Sequence, residues 1–413
     1  MMAAAARRIA WLKRADRAAG VVISLGGLAV VVSVLGILVF IAIEALPMFS
    51  GASIAPAPGT SLPASMAGSS GLRALGTDEY RRYVYAIDAG GSVVLHPLRP
   101  GDAPRALPMP GVTPGEAVVA SSRSLLDDLV AAATASGRVF LARVVFTPIY
   151  EAQRLAGLDV ALLDRGSATI DVGRDALRQV AYREDESERY VAALVGEREV
   201  AFWRAGEGTA DAVRDRVTLE PGVRLTHVRI GRHGAVVAGS DTGRLYHWMF
   251  DQESARLTDV VEAAAGDAIT ALEFLVGGNS IVAGTAAGNL TSWFRAATPD
   301  GSESFVRGHT YEPQGSAVVA LAPSPRDRTF AVAGADGSMS LRHQTSEQTL
   351  ASVPSGGPSP GRLLIAPKAD GLFADAAGAV RAFDIDNPHP EISWRALFGK
   401  VWYEGYSEPE YVW

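Results

Sequence analysis

The chain has 413 residues, no cysteine, 43 glycines and a formal net charge of −7. The missing thiols exclude disulfide staples, thiolate zinc sites and a cysteine nucleophile, and the acidic balance argues against a nucleic-acid surface. Nearly half of the residues are hydrophobic, enough for one large core or for two to three ordinary ones.

Charge is placed unevenly along the chain. Residues 1–17 read as a basic tail, with Arg7, Arg8, Lys13, Arg14 and Arg17 set against Asp16 alone. Residues 18–44 read as a transmembrane helix: no charge occurs from Ala18 to Ile43, and Glu44 is the first to follow. A helix of that length rises roughly 39 Å and crosses a hydrocarbon core of about 30 Å with some tilt. The five basic residues lie on the N-terminal side, so the positive-inside rule places the N-terminus in the cytoplasm and the rest of the chain outside. A cleaved signal peptide is the other reading, with Ala-Pro-Ala at 55–57 as a weak processing site. Its apolar region would normally be only about 7 to 15 residues. Residues 45–75 are mostly small and uncharged, rich in Gly, Ser, Ala and Pro, and predict a flexible linker.

Beyond the linker one pattern recurs. "AVVAGSDTGRLYHW" (235–248) and "SIVAGTAAGNLTSW" (280–293) match in step, and five related stretches begin near residues 83, 129, 190, 329 and 371. The reference positions are Gly91, Gly137, Arg198, Gly243, Gly288, Gly337 and Gly378. Two residues after each stands an apolar side chain: Val93, Val139, Val200, Leu245, Leu290, Met339 and Val380. The expected unit is a strand of small residues, a tight turn in which glycine supplies positive φ, and a second strand with alternating apolar positions. Successive spacings of 46, 61, 45, 45, 49 and 41 residues fit four-stranded blades. The long gap assigns an insertion to residues 146–170. Further strands upstream, "LTHVRI" at 225, "ITALEFL" at 269, "VVALAP" at 318 and "LLIAP" at 363, supply the inner strand of each blade.

The fold class expected is therefore all-β, a seven-bladed propeller over residues 76–388 preceded by one transmembrane helix. Period, the Gly-His of "RGHTYEP" (307–313), and Trp248 and Trp293 resemble WD40 repeats, although the Trp-Asp dipeptide is absent.

Candidate catalytic motifs fail on their own chemistry. Asp241-Thr242-Gly243 has the form of an aspartic-protease motif, but the matching repeat has Ala286 at the aspartate's place and no second such motif exists to share a proton. Ser359 in "GPSPG" lies between two prolines before a strand, whereas a nucleophile elbow needs a strand-to-helix turn. The histidines His96, His227, His233, His247, His309, His343 and His389 show no zinc spacing, and no phosphate-cradling glycine loop is present. "REDESER" (183–189) reads as a solvated hairpin tip, and Asn289, though in a glycosylation sequon, takes no role. No catalytic, cofactor or metal site is assigned.

Residues 389–413 concentrate aromatics and predict a membrane-interface or interdomain segment whose contact residues would be Lys400, Trp402, Tyr403, Tyr406, Tyr411 and Trp413. "LFGKVWYEGYSEPEYVW" (397–413) resembles the segment that precedes the permease core in long-form permease subunits of phosphate ABC importers. The order of basic N-terminus, helix and large extracytoplasmic insertion is similar too. The resemblance implies a bacterial inner-membrane protein with a periplasmic body. It also implies, through the whole transporter, a second permease, an ATPase and a substrate-binding protein as partners. The permease core does not occur in these residues, so the expected role is interaction or regulation. The net acidic body disfavours direct phosphate binding. Two alternatives stand beside it, a stand-alone anchored scaffold for envelope assembly and a propeller hydrolase or lyase.

Overall fold

Helix α1 spans Met2–Ala45. The residues described by the computed structural model are 2–45, 51–61, 74–99, 102–113, 115–125, 127–206, 212–298, 301–376 and 379–387. Two units divide the chain at Gly51. In the first, Ala19–Ile43 has mean hydropathy 2.8 and none of it is buried, which is the length and composition of a membrane anchor or of a signal sequence. The basic stretch expected as a tail is itself helical. Its alanines, leucine and arginines are strong helix formers, so the helix starts ahead of the apolar run.

The second unit consists of seven four-stranded antiparallel sheets. Blade 1 comprises Leu75–Thr77, Tyr83–Ile87, Ser92–Pro97 and Arg105–Pro108; blade 2 comprises Val118–Arg123, Leu129–Thr134, Arg138–Glu151 and Arg154–Thr169. Blade 3 has Leu177–Asp185, Glu188–Val195, Glu199–Gly206 and Ala212–Thr218, and blade 4 has Leu225–Ile230, Ala235–Ser240, Arg244–Phe250 and Ala255–Glu262. Blade 5 holds Ile269–Phe274, Ser280–Thr285, Leu290–Ala297 and Glu303–Tyr311; blade 6 holds Val318–Pro323, Thr329–Gly334, Met339–His343 and Thr349–Val353. Blade 7 takes Pro360–Ile365, Gly371–Ala376 and Ala379–Asp386 from one end of the unit and its outermost strand, Ser53–Ser61, from the other.

That last strand corrects the linker expectation. Ser53 pairs with Asp386, Ile54 with Ile385, Ala55 with Asp384 and Pro56 with Phe383. Composition misled because Pro56, Pro58 and Gly59 are poor strand formers in general, yet an outermost strand needs only one hydrogen-bonding edge and tolerates proline. Ile54 and Ala57 pack against the hydrophobic core, so the segment also contributes buried surface.

Burial explains the repeated sequence pattern. Second strands such as Leu129–Thr134 and Thr329–Gly334 are buried at every residue, sandwiched between neighbouring blades, and consist of small and β-branched residues apart from Leu129 and Phe330. Fourth strands such as Ala212–Thr218 alternate toward solvent. All seven apolar residues two places after the reference positions are buried, from Val93 at 0% to Met339 at 4% exposure. Trp248, fully buried, packs on Phe202 and Tyr246.

The turn glycines have a physical reason. Gly243 has φ +82, and a Cβ there would lie 1.7 Å from the Ala264 carbonyl oxygen in the loop leading to the next blade. Its own carbonyl accepts the amides of Ala263 and Ala264. In blade 3 the left-handed residue is Gly196, yet the Arg198 carbonyl still accepts the equivalent amide, that of Leu219. Gly378 lies outside the described residues.

The insertion expected at 146–170 forms no separate subdomain. It lengthens two strands of blade 2 into a hairpin turning at Ala152 and Gln153, φ +46 and +64. Leu158 and Val160 are buried against the cluster that contains Tyr83 and Tyr85 of blade 1, and the hydroxyls of Tyr80 and Tyr150 meet at 3.2 Å.

Candidate functional site

The inner strands of the seven blades surround a cavity of about 380 Å³. Six of these strands carry an irregularity at their second residue, where the pairing register shifts by one. Such bulges bend a strand and re-aim the side chains beside them. Around each bulge the sequence varies, and blades 3, 4 and 7 place Arg178, His227 and Arg362 there.

The Arg, Glu and His side chains that line the cavity are Arg123, Arg178, Arg183, Arg229, Arg362, Glu273 and His227. Four of the arginines have a carboxylate partner. Arg123 binds Asp128 at 2.8 Å, Arg183 binds Asp185 at 3.1 Å, Arg229 binds Glu273 at 2.6 Å, and Arg362 lies 3.8 Å from Asp375. Arg178 instead donates from Nη1 to the carbonyls of Gly196 and Leu225, at 3.1 and 3.0 Å. Beside it, Gln179 accepts the Val228 amide at 2.6 Å, which ties blade 3 to blade 4. Burial pushes His227 down to about 3, with the charges of Arg229 and Arg178 adding to the effect, so its ring is neutral near pH 7. Burial likewise raises the Asp375 carboxyl, partly offset by Arg362.

The motifs weighed in the sequence take structural places. Asp241 accepts the Arg224 amide at 3.0 Å, and Ser240 and Thr242 share a hydroxyl hydrogen bond at 2.9 Å, so the tripeptide is a braced turn. Ser359 lies in the connection between Thr349–Val353 and Pro360–Ile365. Gly308 and His309 form no turn. They sit in the outer strand of blade 5 at a register shift, with the His309 amide on Ser292 Oγ at 3.0 Å. Asn289 lies at the hairpin turn, its amide on Thr285 Oγ1.

"REDESER" is a hairpin tip, but it is not a freely solvated one. Glu184 accepts both Nε and Nη2 of Arg165, at 2.8 and 2.9 Å, together with the Tyr182 hydroxyl. Glu188 is held by Arg204 and Tyr190. Burial alone would raise Glu184, yet the hydrogen bonds from Arg165 and Tyr182 outweigh it and hold the carboxyl below its ordinary value. The extended hairpin of blade 2 supplies Arg165, so its pair with Glu184 fastens blade 2 to blade 3.

Of the residues expected to orient the chain, Arg7, Arg8, Lys13, Arg14 and Arg17 all fall within α1. Lys400, Trp402, Tyr403, Tyr406, Tyr411 and Trp413 lie outside the described residues. The cavity arginines were missed in the sequence. Their signal was available in "LTHVRI" and "ITALEFL", where His227, Arg229 and Glu273 interrupt otherwise apolar inner strands.

No family model and no curated protein sequence matches the chain. Among solved structures 1570 chains resemble it, so the architecture by itself names no function. One is the β-propeller domain of Cps50 (Swd1) from Myceliophteria thermophila, with a TM-score of 0.55 and 12% identity, covering 79% of this chain and 98% of that one. At such identity the likeness is one of fold: the chain is a seven-bladed β-propeller resembling the WD40 type, with one apolar N-terminal helix.

Proposed function

We propose that the chain is a membrane-tethered, extracytoplasmic interaction module belonging to the permease subunit of a phosphate ABC importer. The observation that carries the tethered part is the ring-closing strand. Signal-peptide cleavage at residues 55–57 would remove Ser53 to Ala57, which supply most of the pairing to Ala379–Asp386. A retained helix keeps the seventh blade whole. The basic residues ahead of Ala19–Ile43 favour a cytoplasmic N-terminus and an exported propeller. The importer part rests on the resemblance of residues 397–413 to the segment preceding a permease core. In that setting a rigid ring of loops guides the substrate-binding protein or braces neighbouring subunits, while translocation belongs to the membrane core.

Two measurements test this. The chain has no native cysteine, so Glu253→Cys, at an exposed turn, gives a single label site. A membrane-impermeant maleimide should modify it in cells with a permeabilised outer membrane and an intact inner one; protection until lysis would refute the orientation. Tagged chain crosslinked in membranes should carry the importer ATPase and phosphate-binding protein, and the coding sequence should continue past Trp413 into further apolar spans. A stop codon at that point, with no importer subunit captured, would leave an anchored scaffold instead.

A further inference from the structure

The cavity lining is segregated around the ring. Blades 2 to 4 contribute Ser121, Ser122, Arg178, His227 and Arg229, whereas blade 6 contributes the half-buried Val319 and Leu321, beside Arg362 of blade 7, whose charge Asp375 offsets. One side is thus polar and cationic, and the side facing it carries an aliphatic patch. On the polar side, Ser121 Oγ, Ser122 Oγ and His227 Nδ1 are buried and have no hydrogen-bond partner among the described residues. Buried polar atoms in native proteins are nearly always satisfied, by protein, by ordered water or by a bound ligand.

The charge count narrows what fits. Arg123, Arg183, Arg229 and Arg362 are each matched by one carboxylate. Arg178 is matched by none among the described residues; its Nη1 rests on two backbone carbonyls, and the side chain is exposed near the end of the cavity where the inner strands begin. One uncompensated positive charge complements a monoanion. It is a poor match for a phosphate dianion, which ordinarily draws several cationic or amide donors. The aliphatic patch would also gain nothing from an inorganic ion.

We infer that the central cavity is a binding site for a small amphiphilic organic monoanion, a carboxylate with an aliphatic body, its head on Arg178 and its tail against Val319 and Leu321. The volume of about 380 Å³ falls within the range of small-ligand sites. This site is independent of the importer reading and serves any tethered propeller whose partners respond to such a metabolite.

Full-length chain in lipid nanodiscs, titrated calorimetrically with octanoate against empty discs, tests the inference. Saturable binding of one octanoate per chain is expected, with octanol and inorganic phosphate each binding at least tenfold more weakly. R178Q should weaken octanoate about 10- to 100-fold, the loss typical of a charge-assisted contact, and R178K should retain most of the affinity. L321D sets a carboxylate on the aliphatic patch and should abolish binding; it carries the test should R178Q fail to fold. The inference is overturned by the absence of saturable octanoate binding, by phosphate competing on equal terms, or by folded R178Q and L321D binding as the parent does.

Discussion

Replacing Ile54 by aspartate separates a closing strand from a flexible linker. Ile54 pairs with Ile385 and packs against the cluster that contains Leu372 and Phe383. Full burial of an isoleucine side chain contributes about 1.5–3 kcal/mol, so a half-buried one forfeits about 1–1.5 kcal/mol on removal. Placing a carboxylate at the same apolar seam adds a desolvation cost of about 1–2 kcal/mol, for a total of about 2–4 kcal/mol. An unfolding entropy of about 2.1 cal/mol/K per residue over about 330 ordered residues gives about 0.7 kcal/mol/K, hence a fall of about 3–6 °C in Tm. Differential scanning calorimetry on full-length chain in nanodiscs measures it. Pro56→Asp, at an exposed position of the same strand, serves as control and should move Tm by less than about 1 °C. Equal and negligible shifts in both variants would refute the closure argument.

Gly243→Ala should cost well over 2 kcal/mol in chemical denaturation, because φ +82 penalises a side chain and the new Cβ meets a carbonyl oxygen at 1.7 Å; Gly266→Ala, at φ +69 with open space around it, should cost only about 1–2 kcal/mol. Because the folded Glu184 carboxyl titrates below its unfolded value, its contribution is complete above about pH 4.5 and is lost as pH falls through the folded value. Glu184→Gln should therefore flatten the acid limb of the stability–pH curve, with little change of its slope near pH 7. His227, depressed to about 3, stays neutral while the unfolded side chain protonates, so stability drains away as pH falls from about 6.5 toward 3; His227→Gln should weaken that dependence, and the ring proton resonances should not titrate between pH 8 and 4. Trp248→Ala empties a fully buried site and should cost about 3–5 kcal/mol by equilibrium denaturation.

How much of this was legible in the sequence depended on how local the physics was. A turn that needs positive φ and a strand buried on both faces leave marks within a dozen residues, which is why Gly91, Gly137, Gly243, Gly288 and Gly337 and the apolar residues two places on read correctly. The inner strands at 225, 269 and 318 also began where their apolar rhythm put them. Ser53–Ser61 escaped because its partner lies at the other end of the ring, and an outer strand that donates to one neighbour carries almost no propensity signal. The extended hairpin was located as an insertion, but its chemistry was not, since the pairing of Arg165 with Glu184 exists only when blades 2 and 3 are side by side. The cavity residues are a similar case. Arg178, His227 and Ser121 occupy non-equivalent places in three repeats, so no spacing rule groups them; only the circular arrangement does.

The seventh blade also sets a schedule. Ser53 and Asp386 are paired across adjacent strands yet separated by more than three hundred residues, so this strand finds its partner only after the hairpin of Gly371–Ala376 and Ala379–Asp386 has been made. Contacts of such high order are slow to form, and meanwhile the waiting strand risks annealing to the open edge of a foreign sheet. Its prolines and glycine lower that risk by blunting the edge it would offer to strangers. The poverty of strand formers that disguised Ser53–Ser61 thus serves the nascent protein as a safeguard against premature pairing.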